Sequence, residues 1–225
     1  MKKKLSLVTI LALSGLFSVN SLSASELEIN GNVGVSSNYI WRGMTQTQDD
    51  SQTSGGIDFS YDEFYFGSWV SNVDFGDDAS SEVDLYVGYA NDFKEITYDL
   101  TYFYYLYPSS TAELNFQELK LSLAYDIDAL ALGISHSIVT KLQDSSAKKL
   151  DYSEITASYD FGMLSLDSSF GDYEETGTNY LVGISKSYDL SDATLDLSVA
   201  YTNFSHDSDS TKDEENVFAS ATYSF

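Results

Sequence analysis

Glu95–Tyr107 reads EITYDLTYFYYLY. Ile96, Tyr98, Leu100, Tyr102, Tyr104 and Leu106 take every second position, with Thr97, Asp99, Thr101, Phe103 and Tyr105 between them. Side chains of an extended chain alternate between its two faces, whereas an amphipathic helix repeats its apolar residues at three- and four-residue spacing. The stretch therefore predicts a strand with one wholly apolar face and one that carries polar groups. Its length exceeds that of a typical soluble strand and fits a tilted strand crossing a hydrocarbon layer.

The same alternation recurs along the chain. Leu27, Ile29, Gly31, Val33, Val35, Ser37, Tyr39 and Trp41 share one face of the first run, and Leu195, Leu197, Val199 and Tyr201 share one face of a late run. Reading every such run gives about twelve strands, near 27–41, 53–61, 64–74, 82–90, 95–107, 113–125, 129–141, 150–159, 163–172, 178–188, 193–204 and 215–225. Short joints such as Asp62-Glu63 and Asp126-Ile127-Asp128 alternate with longer polar ones such as 42–52 and 205–214. No later segment holds the 18 or so consecutive apolar residues of a transmembrane helix. These features predict an all-β fold: a transmembrane antiparallel β-barrel of about twelve strands with up-and-down topology.

The ends assign a compartment. Met1-Lys2-Lys3-Lys4, the apolar run Leu5–Val19 and the small residues Ser21, Ser23, Ala24 and Ser25 predict a secretory signal peptide over 1–24, leaving the barrel as 25–225. At the other end Val217, Ala219, Ala221, Tyr223 and the terminal Phe225 alternate. That pattern resembles the signal read by the barrel assembly machinery of the Gram-negative outer membrane. The expected location is the cell outer membrane, with lipid and lipopolysaccharide as partners. The chain has no cysteine, which excludes disulfides, thiol catalysis and thiolate metal sites. It carries 35 acidic against 11 basic residues, and three of the eleven lie in the leading lysine run, so the exported chain bears about −27. Such a surface repels nucleic-acid phosphates and excludes nucleic acid as a partner.

In a bilayer the apolar face turns outward and the other face lines the interior. Small inward residues favour a narrow wet bore over a packed one, with Phe103, Tyr105, Tyr107 and Phe218 as candidates to constrict it. The pore-lining candidates are Arg42, Asp58, Asp84, Asp99, Glu118, Lys120, Glu154, Asp167 and Asp196, with Lys141 a further candidate. Carboxylates outnumber cations among them, which predicts a weak preference for cations. Tyr39, Trp41, Tyr223 and Phe225 are assigned to aromatic girdles at the membrane boundaries, where amphipathic rings are favoured. Arg42, the sole arginine, has the opposite parity to Trp41 and faces the mouth, either setting a transverse field or pairing with a loop carboxylate. The run 64–74 carries aromatics on both faces and leaves its inward side unassigned.

Three stretches, SSNYIWRGMTQTQ (Ser36–Gln48), GSWVSNVDFG (Gly67–Gly76) and DLYVGY (Asp84–Tyr89), resemble the TorF family of Proteobacteria. The likeness is strongest over 27–90 and returns with the final strand. It implies an outer-membrane β-barrel acting as a porin, and assigns neither a solute nor a residue-level role.

Catalytic chemistry is sparse. The two histidines are His136, between Ser135 and Ser137 of opposite parity, and His206 in an acidic loop. Neither shows a local nucleophile–base constellation, so no enzyme is expected. The loop His206–Glu215 is acidic but lacks the glycine and register of a calcium loop, and no metal or cofactor is expected. The reading is a porin-like channel for passive diffusion of small solutes or ions. The alternatives are a non-conducting barrel with a structural, adhesion or lipid-contact role, and a secreted carbohydrate-binding β-sandwich.

Overall fold

The structure, a computed structural model, describes residues 26–225. The expected signal peptide lies outside the described residues. In chain order the strands are β1 (Glu28–Ser36), β2 (Ile40–Trp41), β3 (Met44–Thr45), β4 (Gln52–Tyr61), β5 (Phe64–Asn72), β6 (Ser81–Phe93), β7 (Ile96–Leu106), β8 (Phe116–Ile127), β9 (Leu130–Leu142), β10 (Tyr152–Asp160), β11 (Ser165–Tyr173), β12 (Gly177–Asp189), β13 (Thr194–His206) and β14 (Glu214–Ser224). All but β2 and β3 join one closed antiparallel barrel of twelve strands, in which β1 pairs with both β4 and β14. Closure leaves no unpaired sheet edge. Among the described residues no helix is long and apolar enough to cross a membrane.

The short joints fold tightly because one residue in each adopts a left-handed backbone. Asp62, Lys94 and Asp128 have φ of 51°, 63° and 54° in two-residue connections, and Gly162 (81°) and Ser191 (67°) serve the four-residue ones. Asp and glycine tolerate this region, and such turns match the twist of the paired strands. Every short joint lies at the barrel end where the chain termini meet, with Gly31 and Phe225 exchanging backbone hydrogen bonds of 2.8 and 2.9 Å. The Phe225 ring lies over Gly31, and a Cβ there would meet it at 2.9 Å.

The outer wall is an apolar belt. Val33, Ile57, Val87, Leu121, Ile134, Val182 and Val199 are exposed on it. Toward the short-joint end it becomes aromatic, with Tyr61, Phe64, Phe93, Tyr125, Tyr159, Phe161, Tyr188, Tyr223 and Phe225 projecting outward. For β5 the structure decides what alternation left open. Tyr65 is buried on the inner side while Phe64, Phe66 and Val70 are exposed outside. The inner aromatics face glycines across the ladder, Tyr65 opposite Gly88 and Tyr86 opposite Gly67. A side chain at either glycine would occupy the tyrosine's space.

Candidate functional site in the bore

The first strand corrects two of the expected positions. β1 stays in the wall to Ser36, and the Ser37 amide still reaches Ala219 O at 2.9 Å. The chain then turns inward, pinned by the Asn38 side chain. Its Nδ2 donates to Asp49 Oδ1 (2.9 Å), and its Oδ1 accepts from Thr45 Oγ1 (2.7 Å) and Thr47 Oγ1 (3.1 Å). Parity is a property of an extended chain, and it lapses where the extension ends. Tyr39 and Trp41 therefore do not stand on the outer face as girdle residues. Tyr39 is 6% exposed and meets the inward Trp69 edge-on at 5.5 Å. Trp41 packs against Tyr105, Phe116 and Tyr173 at 6.3, 6.1 and 6.2 Å.

β2 and β3 form a small hairpin that crosses the bore at the long-loop end. Ile40, 1% exposed, packs on Leu181, Ala200 and Phe218 of β12, β13 and β14. At the hairpin tip Arg42 takes φ of 51° and Gly43 φ of 85°. Close contact with Asn179 and Phe204 leaves Gly43 no room for a Cβ. Arg42 Nη2 pairs with Glu118 Oε2 of β8 at 2.6 Å, with side chains 5% and 1% exposed. The guanidinium lies over the rings of Trp41 (4.0 Å), Tyr152 (4.4 Å) and Tyr173 (5.2 Å). A planar, weakly hydrated cation suits such a stack, and a lysine would not reproduce it. The partner of Arg42 is thus a wall carboxylate, not one from a loop.

The remaining lining candidates are spread along the inner wall, each with its own partners. Asp58 accepts from Tyr86. Asp99 accepts from Tyr65 at 2.7 Å and from Thr101. Asp167, 1% exposed, accepts from Ser158 (2.6 Å) and Ser185 (2.7 Å). Glu154 accepts from Tyr152 at 3.3 Å, and Asp196 from Ser187. Lys120 sits between Thr101 and Ser137 in register. Asp84 stands between Trp69 and Tyr105. Lys141 is corrected: a bulge between Gln117 and Glu118 leaves Thr140 unpaired and turns Lys141 outward opposite Gln117. Phe103, Tyr105 and Phe218 are all buried inside.

The sequence reading missed Glu82, Tyr65, Trp69, Tyr86 and Asn179 among the inward groups. Glu82 was within reach, since it shares the parity of Asp84. So were Tyr86, of the same parity, and Asn179, two residues before the inward Leu181; Tyr65 and Trp69 depended on β5, whose two aromatic faces hid its direction. It also missed a neighbour of His136. The register of β9 against β10 sets Ser153 opposite His136, with Nδ1 2.9 Å from Ser153 Oγ and Nε2 4.0 Å from Asp151 Oδ2, on the outer face. Among the described residues no three histidine, aspartate or glutamate side chains converge as metal ligands.

Residues 20–222 match the family model described as "Bacterial protein of unknown function (Gcw_chp)", and the chain belongs to that family. No curated protein matches it. Among solved structures it is similar to a KdgM porin, with TM-score 0.60 and 10% identity over 87% of this chain and 98% of that one. A KdgM porin in complex with disordered oligogalacturonate gives TM-score 0.58 and 10% identity over 88% and 97% of the two chains. The COG4313 outer membrane channel from Pseudomonas putida F1 gives TM-score 0.52 and 11% identity over 87% and 94%. At these identities the likeness is one of fold.

Proposed function

We propose that this member of the Gcw_chp family is an outer-membrane, TorF-type porin that passes small solutes or ions by diffusion and prefers cations weakly. The observation that carries the reading is the two-sided wall. An apolar belt faces out, and inside it lies a wall of hydroxyls and carboxylates in which Asp58, Glu82, Asp84, Asp99, Glu118, Glu154, Asp167 and Asp196 face Arg42 and Lys120. Carboxylate-lined pores favour cations. The outward aromatics at the short-joint end, Tyr223 and Phe225 among them, suit a membrane interface. They support an orientation with the short joints toward the periplasm and the long loops toward lipopolysaccharide. The β14 segment, with Val217, Tyr223 and Phe225 turned outward, suits recognition by the barrel assembly machinery. An acid-rich bore is a poor conduit for a polyanion such as the oligogalacturonate named with the KdgM porin, so that solute is not carried over.

Planar-bilayer recording under a potassium chloride gradient tests this. A reversal potential of cation sign is expected, and one of anion sign contradicts it. The non-conducting alternative draws on the hairpin, which crosses the mouth and is held by a buried ion pair. Liposome swelling separates the two, because a sealed barrel gives none. An enzyme is not favoured. Asp151 lies beyond hydrogen-bond reach of His136 and does not orient its ring as a triad requires.

A further inference from the structure

On the outer wall a polar cluster interrupts the apolar belt. His136 of β9 lies between the exposed Ile134 and Ile138 along its own strand and stands opposite Leu121 of β8. Its neighbour on the other side is Ser153 of β10, whose Oγ is 2.9 Å from His136 Nδ1. Ser153 in turn stands opposite Asp172 of β11. Asp172 is exposed and has the parity of the outward Leu166 and Phe170. One register row thus carries a histidine, a serine and an aspartate across three strands, all turned outward. An ionisable group facing hydrocarbon is costly, and a wall that keeps one marks a place where something other than lipid chains sits.

The row has a direction. On its β9 side Lys141 also points outward, opposite Gln117, and Lys149 joins it by donating its Nζ to Thr140 O. On its β11 side the charge is that of Asp172, and between them Asp151 Oδ2 is 4.0 Å from His136 Nε2. A phosphate-bearing headgroup would be attracted by the first side and repelled by the carboxylates of the second. A face with cations at one side and an anion at the other is complementary to itself. Under a two-fold axis along the membrane normal, a residue on one side of the axis meets the partner's residue from the opposite side. With the axis through β10, Lys141 and His136 of one copy face the partner's Asp172, twice over. Toward the short joints the wall is shallow where Ala157 stands opposite Ser168, whose hydroxyl donates to Ala157 O at 3.2 Å. Small residues let two walls approach closely in lipid.

We propose that the outer face of β9, β10 and β11 around His136, Ser153 and Asp172 is the interface of a two-fold dimer of this chain in the membrane. The inference goes beyond the channel reading and needs only that the apolar wall faces lipid.

The chain has no cysteine, so a single introduced thiol reports the contact. Ser153→Cys places one beside the axis, and Ile57→Cys places one on the exposed face of β4, on the opposite side of the barrel. In proteoliposomes holding the full barrel, mild oxidation is expected to convert most of the Ser153→Cys variant to a disulfide-linked dimer and to leave the Ile57→Cys variant monomeric. Adding Asp172→Lys to Ser153→Cys sets like charges against each other and is expected to cut the cross-linked yield at least roughly fivefold. The unsubstituted barrel in mild detergent is expected to sediment with the mass of two chains, an arm that depends on no variant folding. Equal yields at the two thiol sites, a yield unmoved by Asp172→Lys, or a one-chain mass overturns the proposal. A one-chain mass with lipopolysaccharide phosphate retained would give the face to lipid. Conductance of the same proteoliposomes is read separately. A conducting monomer sinks this inference alone, and a silent dimer sinks the channel reading alone.

Discussion

At the scale of the residue, Arg42 combines a strained backbone, a buried ion pair and an aromatic stack. Its left-handed backbone costs about 1–2 kcal/mol for a residue with a Cβ. The ion pair with Glu118 and the stack on Trp41, Tyr152 and Tyr173 offset that cost. Removing one partner strands the other charge in a buried place. Arg42→Ala and Glu118→Ala are each expected to lose about 3–5 kcal/mol, and the double variant much less than their sum. The denaturant midpoint of the folded band on unheated gels measures this, and additive losses would contradict the pairing. The tyrosine–glycine pairs make a second residue-scale case. Gly67→Val drives a side chain into Tyr86, whose hydroxyl is committed to Asp58, so a destabilisation of about 1–3 kcal/mol is expected. Adding Tyr86→Phe removes the nearest clashing atom and is expected to recover part of the loss. No recovery would place the clash with the backbone oxygen of Ile57.

Among the elements, the β2–β3 hairpin decides how much of the bore is free. It spans from the Trp69 side to the Phe218 side and is anchored at both. Replacing residues 39–47 with a short glycine–serine linker is expected to leave the strand content unchanged by circular dichroism and to raise single-channel conductance several-fold. Equal conductance would mean that the hairpin does not limit flow. A smaller tie joins the loops 73–80 and 107–115. Asp78 accepts from the Thr111 amide (2.9 Å) and from Ser110 (3.3 Å), and its bonds to Thr111, then Ser110, hold the carboxyl below the usual aspartate range. A depressed value means the tie is intact above the ordinary aspartate pKa and is released as pH falls through the lowered one. The Thr111 amide resonance is expected to titrate with a midpoint below that of an exposed aspartate, and a midpoint at or above it would contradict the contact.

Across the whole molecule, the period of two carries the architecture. Alternation locates each of the twelve barrel strands to within a few residues, and alternating joint lengths order them up and down. Closure then follows from physics, because paired strands with an apolar outer face leave no edge for water or lipid to satisfy. Inward parity likewise places Asp58, Asp99, Glu118, Lys120 and Asp167 on the inner wall with no reference to their partners. What alternation cannot convey is where a chain leaves the wall. Ser36–Trp41 keeps strand-like spacing, yet the capping bonds of Asn38 and the pocket waiting among Leu181, Ala200 and Phe218 draw it into the bore. The bulge that turns Lys141 outward, and the glycines that fix which aromatic face of β5 points in, are equally contacts between strands. The sequence by itself determined the two-faced strands, their number and their order, since each of these is written in local spacing. Only the tertiary structure decided that the lone arginine and both tryptophans lie inside, because that outcome depends on contacts such as Tyr39 with Trp69, Arg42 with Glu118 and Asn38 with Asn216, which join positions far apart along the chain.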